Sequence, residues 1–522
     1  MQQLDLATIF RQAVADHRAG RLQPAEAGYR RVLEAAPGHA DSLHYLGLIA
    51  AQVGRHDLAA DLIARAVAVR PVMPDYSNNL GLSLTALGRF GEAADAFRRA
   101  IALAPDLAEA HSNLGNALRS LGRPAEAELS YRRALQLAPD LAPAHNNLGA
   151  ALADLDRLDE AEQSYRQALR CNPVYPEAYN NLANAVRGQG HWRAAIEYCR
   201  EAVALAPDYA EAHYNLGWAL LLTGDFAEGW PEFEWRWRVE GGAGTPGFGV
   251  PLWRGEPLED RTLLLHAEQG AGDSFMFCRY AERAAKLGRV LLVAPPALVG
   301  LFKRLSGLAG VFAAGAELPP FDLHCPLLSL PLAFGTTLDS VPDAVPYLAA
   351  DPGRVAIWRD RLRTIEGPRV GLVWAGNPAQ RDDRRRSMTL ADLAPLATLP
   401  ALNFISLQKG RAETPPAGMR FFDWTEELQD YDDTAALIET LDLVLAVDTG
   451  VAHLAGALGR PVWLMNRFEP YFAWLTERED SPWYPTLRQF RQNRAGEWGP
   501  VVESVRKALA LRSWQTTALG GG

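Results

Sequence analysis

The chain is poor in cysteine and in long apolar runs and has no excess of basic charge, and each shortage excludes a class of protein. Its four cysteines among 522 residues are scattered, without Cys-x-x-Cys spacing, which argues against a disulfide framework or a zinc site. No apolar run approaches the roughly 18–20 residues of a membrane span. Acidic residues outnumber basic ones, 62 to 52, so we expect no binding to nucleic acid.

The amino-terminal segment, MQQLDLATIF, contains an acid and lacks a basic region followed by an apolar core. We therefore expect no signal peptide and no membrane insertion, and the scattered cysteines favour a protein of the reducing cytoplasm. A length of 522 residues is too great for a single hydrophobic core and predicts two to four domains.

The first half of the chain has a period of 34 residues. A glycine, an alanine, a bulky residue and a proline recur in phase, the prolines being Pro37, Pro71, Pro105, Pro139, Pro173 and Pro207. Small residues let helices approach closely, and proline marks a helix boundary. The order N-L-G, alanine, aromatic residue, alanine and proline resembles the tetratricopeptide repeat. This resemblance implies an α-solenoid of helix pairs over residues 1–238, with a concave groove.

One recurring residue is not required by helix packing. In five repeats an asparagine stands two positions before the glycine landmark or its alanine equivalent Ala183, and the row is Asn79, Asn113, Asn147, Asn181 and Asn215. An amide both donates and accepts hydrogen bonds, so such a row in the groove would hold an extended polypeptide. Alternatively, each asparagine bonds a neighbouring helix of the array. The row resembles the asparagine ladder with which eukaryotic O-GlcNAc transferase grips protein substrates.

The repeats are followed by an aromatic cluster and a linker. Residues 225–238, DFAEGWPEFEWRWR, place four large aromatic side chains within eight residues, a spacing that favours a domain interface over sugar stacking; they are Trp230, Phe233, Trp235 and Trp237. Residues 239–252 are rich in glycine and proline, which predicts a linker.

Beyond the linker, strands and helices alternate in two halves. Helices separate the main predicted strands, which lie at 262–266, 290–294, 370–374, 403–407, 443–447 and 462–464. The alternation predicts two Rossmann-like domains that face a cleft. We place them at 253–350 and 351–511, followed by a disordered tail at 512–522.

The strand at 443–447 leads through the turn Asp448-Thr449-Gly450 into a helix. Such a turn is typical of phosphate sites in α/β proteins, because the free N–H groups and the positive end of the helix dipole point at the anion. We expect Thr449 and Gly450 to bind the phosphates of a donor, with Asp448 fixing the turn, since a carboxylate repels an anion. His453 either donates to the phosphate or packs against the sheet.

Four short motifs of the second half carry a specific resemblance. GAGD follows the first strand, AGNP follows the first strand of the second domain, LQKG follows its next strand, and DTGVAH precedes a helix. Over residues 255–510 these motifs resemble the bacterial heptosyltransferase-type glycosyltransferases, which implies a GT-B fold and an inverting reaction. With the repeats, the chain resembles bacterial repeat–glycosyltransferase fusions, a group that includes flagellin-modifying enzymes.

The resemblance places the catalytic base at Asp273, in the loop that also contains Gly270 and Gly272. An inverting transfer needs a base that takes the acceptor's proton. Glu268 is the rival base, and Asp273 could instead cap the following helix. His266 ends its strand, where histidines are commonly structural, and is a further possible cleft residue.

Several residues are candidates for contact with a nucleotide-sugar donor. Lys409 is a candidate cation for the leaving phosphate, and Gln408 for the base or ribose. Asn377 would hold phosphate or sugar, and Arg386 a phosphate or a sugar carboxylate, although a solvated loop is the default for residues 381–386. Trp474 either stacks on a sugar or packs the carboxyl-terminal helices. No Asp-x-Asp motif lies beside a predicted strand end, so we expect neither a metal nor another cofactor.

These observations favour a cytoplasmic protein glycosyltransferase. It would transfer a sugar from a nucleotide-sugar donor to Ser or Thr of a polypeptide held by the repeats, and flagellin is the first candidate on resemblance alone. One alternative is a peptide-binding scaffold with an inactive transferase domain. Another is a glycan or lipopolysaccharide transferase whose repeats serve assembly. The asparagine row, and the lack of a basic amphipathic membrane helix, favour a protein acceptor.

Overall fold

The computed structural model describes residues 5–239, 247–380 and 383–514. The chain divides into two compact units after Asp208. This division falls before the linker predicted at 239–252, of which residues 240–246 lie outside the described part of the chain. The predicted tail at 512–522 is likewise described only as far as residue 514.

The first unit is built of helix pairs, as the 34-residue period predicts. The first helix of each pair has 13 residues and the second has 14. Within residues 5–208 the helices are α1 (Leu6–Arg18), α2 (Leu22–Ala35), α3 (Ala40–Gln52), α4 (His56–Val69), α5 (Pro74–Ala86), α6 (Phe90–Leu103), α7 (Ala108–Ser120), α8 (Pro124–Leu137), α9 (Ala142–Asp154), α10 (Leu158–Cys171), α11 (Pro176–Gly188) and α12 (Trp192–Leu205).

Each pair is held together by a small residue facing a large one. In the pair α7 and α8, a Cβ atom at Gly115 would lie 2.5 Å from the ring of Tyr131, so only glycine fits there. Gly81 faces Phe97 and Gly149 faces Tyr165 in the same way. The recurring glycine and bulky residue of the sequence are therefore one contact, repeated along the array.

Gly115→Ala should destabilise the repeats by about 1–3 kcal/mol, because the added methyl group overpacks the contact with Tyr131. Urea unfolding followed by far-ultraviolet circular dichroism measures the change. The matched control is Gly91→Ala in α6, where a Cβ atom meets nothing within 4 Å. This control should leave stability unchanged or raise it slightly, since alanine favours a helix more than glycine. Equal effects of the two substitutions would contradict the assigned contact.

The second unit begins with a helix pair that keeps the 34-residue step, α13 (Ala210–Thr223) and α14 (Phe226–Phe233). A 3-10 helix, Glu234–Trp237, follows. The ring centroid of Trp230 lies 6.1 Å from that of Phe277 and 5.7 Å from that of Phe472. The aromatic cluster is thus packed against the α/β part of its own unit, in keeping with the predicted interface role.

The rest of the second unit contains ten strands and nine α-helices within its described residues. In chain order these are β1 (Thr262–His266), α15 (Ala271–Phe277), α16 (Arg279–Ala285), β2 (Arg289–Ala294), α17 (Pro296–Phe302), β3 (Gly310–Ala313), β4 (Leu323–Pro326), α18 (Leu330–Ala333), α19 (Pro352–Arg361), β5 (Arg369–Val373), α20 (Asp383–Arg386), β6 (Asn403–Ser406), β7 (Phe421–Phe422), α21 (Tyr431–Ile438), β8 (Leu443–Val447), α22 (Gly450–Ala457), β9 (Val462–Asn466), β10 (Leu487–Arg491) and α23 (Gly499–Leu511).

The strands form two parallel sheets. The first has the order β3-β2-β1-β4 and the second the order β10-β9-β8-β5-β6-β7. Strands β1, β5 and β8 are central and almost entirely buried, which explains their continuous apolar sequences. Short 3-10 helices lie between the main elements; they are Leu327–Ser329, Leu338–Ser340, Leu362–Thr364, Leu390–Thr398, Thr425–Glu427 and Phe472–Trp474.

In each sheet, successive strands are added towards one edge and then, from one point on, towards the other edge. This point lies between β1 and β4 in the first sheet and between β5 and β8 in the second. In open α/β sheets, ligands bind outside the carboxyl ends of the strands at such a switch point. The topology therefore draws attention to the loops that follow β1, β4, β5 and β8.

Candidate functional site

The loops after β1 and β8 touch each other. A Cβ atom at Gly272 would lie 3.0 Å from the His453 ring and 3.5 Å from Cα of Gly450, and one at Gly450 would lie 3.4 Å from the Gly272 nitrogen. The predicted GAGD and DTG motifs are therefore brought together, by the amino-terminal ends of α15 and α22. A Cβ atom at Gly272 would be tight against the His453 ring, whereas one at Gly450 would make ordinary van der Waals contacts.

Asp273 uses both of its carboxylate oxygens. Oδ1 accepts a hydrogen bond of 2.5 Å from the Tyr471 hydroxyl, and Oδ2 accepts one of 3.3 Å from the Gly270 N–H. The second bond is the helix cap that the sequence left open as an alternative, and the first ties α15 to the loop after β9. Burial raises the pKa of Asp273, and the two hydrogen bonds oppose that rise.

Glu268 lies in the same loop and is paired with an arginine of the junction. Its Oε1 is 3.1 Å from Nη2 of Arg236, which also donates to Ser329 Oγ at 2.7 Å. The Glu268 side chain is 8% exposed, and burial raises its pKa to about 7, although Arg236 opposes the rise. Glu268, Arg236 and Ser329 thus form a buried polar cluster at the switch point of the first sheet.

His266 is buried at the end of β1. Its Nε2 lies 3.2 Å from Nδ1 of His324, and the Phe248 ring lies over both histidines. Burial lowers the pKa of His266 to about 3, so the ring is neutral at physiological pH. This matches the structural role that the sequence analysis weighed for a histidine at a strand end.

Asp448 and Trp474 hold each other. The Trp474 Nε1–H donates to Oδ1 of Asp448 at 2.8 Å, and both side chains are buried. The Asp448 carboxylate is therefore held within the protein, and Trp474 is packed against it. Thr449 and Gly450 remain the residues of the turn that offer backbone N–H groups, and the Thr449 hydroxyl donates to Val447 O at 3.2 Å.

His453 takes the packed alternative. Its Nδ1 lies 3.0 Å from the Tyr484 hydroxyl, and its ring is stacked on Trp474 with centroids 4.6 Å apart. The side chain is buried, and burial lowers its pKa to about 4. A neutral histidine that is bonded and stacked in this way supports the DTG turn from below.

Gln408 is also engaged within the protein, although it was a candidate for the base or ribose. Its Oε1 accepts hydrogen bonds from the backbone nitrogens of Trp374 and Ala375, at 3.2 and 2.9 Å, and the side chain is buried. Lys409, the next residue, is exposed, and its ammonium donates to the carbonyl of Leu428. Of the two, only Lys409 faces solvent.

The AGNP turn carries a cluster of charged groups. A Cβ atom at Gly376 would lie 2.5 Å from Nε of Arg386, so this arginine lies against the turn. Asp383 holds Arg386 and Arg411 at 3.3 and 3.0 Å. Asn377 is exposed, and its Oδ1 accepts from the Ala379 nitrogen at 3.0 Å. Residues 381 and 382 of the arginine-rich run lie outside the described part of the chain.

The asparagine row makes contacts within the repeats. Asn113 Nδ2 donates to Asn78 Oδ1 at 3.2 Å, and Asn181 Nδ2 donates to Asn146 Oδ1 at 3.0 Å. Each bond joins neighbouring helix pairs. Because a shorter serine, Ser112, stands where an asparagine accepts in those two cases, Asn147 instead donates to Asn116, at 2.9 Å.

At the amino-terminal end of the row, the amide nitrogen of Asn79 lies 2.9 Å from His44 Nε2. Asn215 is half-buried in α13 of the second unit. The alternative of bonds between neighbouring repeat helices is therefore present in the structure, and it uses amide nitrogens. The carbonyl oxygens of Asn79, Asn113 and Asn181 take no part in these bonds.

Sequence reasoning missed three residues of the site. Arg236 was hidden among the tryptophans of the junction, where only the aromatic side chains were considered. Tyr471 and Ser329 lie 198 residues beyond Asp273 and 93 beyond Arg236 along the chain. No local pattern links residues so far apart, but an arginine two positions after a glutamate in an aromatic-rich segment is a usable signal for Arg236.

Two kinds of feature are absent from the residues that the structure describes. No group of three or more His, Cys, Asp or Glu side chains there is arranged to hold a metal ion. No helix in the same residues is both long and apolar enough to pass through a membrane.

Comparison with known protein families agrees with the two halves of the chain. The tetratricopeptide repeat model matches residues 10–74, 46–108, 78–142, 112–176 and 180–233. The model of glycosyltransferase family 9 (heptosyltransferase) matches residues 430–463, which include β8, the DTG turn and α22. The chain thus joins tetratricopeptide repeats to a segment that matches glycosyltransferase family 9. The predicted fusion is thereby confirmed.

The chain is also similar to single proteins over part of its length. It is 28% identical to Protein FlbA of Caulobacter vibrioides over 322 residues, which are 56% of this chain and 53% of FlbA. The chain thus spans about half the length of this curated relative. Among solved structures it resembles MamA, with 25% identity, a TM-score of 0.30, and coverage of 31% of this chain and 94% of MamA. It also resembles the tetratricopeptide repeat protein TTC0263 of Thermus thermophilus, with 26% identity, a TM-score of 0.31, and coverage of 35% and 100%.

Acid should weaken the second unit through His453. An unfolded histidine has a pKa near 6.5, whereas the folded pKa is about 4. Between these values the unfolded chain binds a proton that the folded chain does not, so the free energy of unfolding falls as the pH falls, by up to about 1.4 kcal/mol for each pH unit. Substitution His453→Gln should remove this contribution and flatten the dependence of the melting temperature on pH between 6.5 and 4. Parallel curves for the two proteins would show that the imidazole is not buried in its neutral form.

Proposed function

We propose that the chain is a GT-B glycosyltransferase that modifies Ser or Thr of a polypeptide, with inversion and without a metal. The observation that carries the proposal is the direct contact between the GAGD and DTG turns. It joins the carboxyl end of β1 to that of β8, so the switch points of two parallel sheets face one region. The family 9 match covers the DTG side of this contact.

The second sheet would bind the nucleotide-sugar donor. Thr449 and Gly450 begin α22, where backbone N–H groups favour a phosphate. Lys409, after β6, is an exposed residue whose ammonium has three N–H donors, one of them bonded to the Leu428 carbonyl, and Arg386 adds a guanidinium against the AGNP turn. These cations would stabilise the charge that develops on the departing phosphate.

The repeats would bind the acceptor polypeptide, which gives the enzyme a protein substrate in preference to a lipid. Tetratricopeptide repeats are suited to protein binding, and their concave surfaces accept extended segments. Flagellin in the cytoplasm is the acceptor that we propose from the family resemblance. The proton of the acceptor hydroxyl would pass to a carboxylate of the loop after β1, which contains Glu268 and Asp273.

The activity is tested with the full chain, a panel of UDP-, GDP-, ADP- and CMP-linked sugars, and purified flagellin. We expect one donor to raise the intact mass of flagellin by one or more sugar residues, with release of its nucleotide. Lys409→Ala should raise the KM for that donor about tenfold, since a lost hydrogen bond to a charged group costs roughly 1.5 kcal/mol. Lys507→Ala, which removes an exposed lysine from α23, is the matched control. Absence of nucleotide release with every donor would leave the scaffold alternative.

The asparagine row is tested by two double substitutions. Asn113→Ala with Asn181→Ala removes the donors of two inter-repeat bonds, and Asn78→Ala with Asn146→Ala removes their acceptors. Both should lower repeat stability by about 1 kcal/mol for each bond, and the second pair also loses the bond of 3.2 Å from Asn146 Nδ2 to Asn147 Oδ1. If the row also holds the polypeptide, the first pair should raise the KM for the acceptor more than the second pair does. Equal KM values for the two double variants would restrict the row to a structural role.

A further inference from the structure

The two carboxylates after β1 differ in how many of their oxygens are used. In Asp273 each oxygen accepts a hydrogen bond, from Tyr471 and from Gly270. In Glu268 only Oε1 is bonded, to Arg236, whereas Oε2 is buried and accepts no hydrogen bond from any residue that the structure describes. A buried carboxylate oxygen without a donor is costly, and in native proteins such an atom calls for a reason.

Arg236 holds Glu268 at the switch point of the first sheet. The guanidinium lies 5.0 Å from the Phe233 ring centroid and 4.6 Å from that of Trp237, and it is itself buried. It also bonds Glu234 and Ser329, and Ser329 lies just beyond the end of β4. The cluster therefore sits between the carboxyl ends of β1 and β4, where this topology places ligands.

We propose that Oε2 of Glu268 is the proton acceptor of the transfer and that Arg236 is its positioning residue. This assignment rests on the proposed function and selects between the two carboxylates of the loop. The acceptor hydroxyl gives its proton to Oε2 as its oxygen forms a bond to the anomeric carbon of the sugar. The bond from that carbon to the phosphate oxygen breaks, and its electron pair leaves with the nucleotide. Glu268 then returns the proton to water.

The charges around Glu268 suit this task. Burial raises its pKa, Glu234 and Asp273 add to the rise, and Arg236 opposes it, with a result of about 7. A general base works best when its pKa lies near the operating pH. The base must be ionised, so kcat/KM should rise with pH through about 7. Removal of the opposing Arg236 should move this rise to higher pH.

The test compares Glu268→Gln and Asp273→Asn in the full chain, with the donor that the wild type turns over and a Ser peptide of its acceptor. Glu268→Gln should lower kcat about 100-fold or more and abolish the rise near pH 7, since general bases contribute roughly 10²–10⁴-fold. Asp273→Asn should keep the rise, whatever its effect on rate. Arg236→Gln should shift the rise upward in pH. A loss of the rise in Asp273→Asn, with its retention in Glu268→Gln, would give the role to Asp273.

A second acceptor separates lost chemistry from lost structure. The same peptide with Cys in place of Ser is largely a thiolate at about pH 9, since a free thiol has a pKa near 8.5, and it needs no base. Glu268→Gln should therefore modify the Cys peptide at a rate close to that of the wild type, while it fails on the Ser peptide. Equal loss on both peptides would overturn the assignment. If the wild type turns over no donor at all, the proposed function itself fails, which is a different result from an active wild type and an equally active Glu268→Gln.

Discussion

The second unit depends on the close approach of Gly272 and Gly450. These two residues bring the start of α15 against the start of α22, and with them the carboxyl ends of β1 and β8. A Cβ atom at Gly272 would lie 3.0 Å from the His453 ring, so a side chain there would press against that ring. The hydrogen bond from Tyr471 to Asp273 then fastens the contact from the side. The loops that carry Glu268, Asp273, Thr449 and Gly450 meet at this contact.

Several residues that looked like ligand contacts turn out to support the loops. Asp448 is bonded to Trp474, His453 to Tyr484, and Gln408 to the backbone after β5. Burial explains why these polar groups have internal partners, since a buried polar group without one costs free energy. Outside this internally bonded set stand the backbone of Thr449 and Gly450 and, among the described residues, the Oε2 atom of Glu268, whereas Lys409 donates to Leu428 and Arg386 is paired with Asp383.

Much of the fold follows from short-range patterns in the chain. The 34-residue period predicted the helix pairs, and the apolar runs at 262–266 and 443–447 predicted β1 and β8 with the bounds that the structure has. Strands at the edge of a sheet were harder. The sequence of β10, LRQFR, alternates polar and apolar residues, and β7 has only two residues, so neither stands out from a loop. The division after Asp208 also departs from the predicted linker, because α13 and α14 pack on the α/β part through aromatic contacts that no local pattern reveals.

The sequence by itself determined the class of each half, the motifs GAGD, AGNP, LQKG and DTG, and the residue types available for chemistry. These depend on periodicity and on the conformational needs of turns, which act over a few residues. Only the tertiary structure decided which carboxylate has both oxygens in hydrogen bonds and which has one oxygen without a donor. Asp273 is bonded by Tyr471, 198 residues away, whereas Glu268 is buried against Arg236 with one oxygen left over. Burial and hydrogen-bond partners come from the folding of distant segments onto one another, and they set the chemistry of both groups.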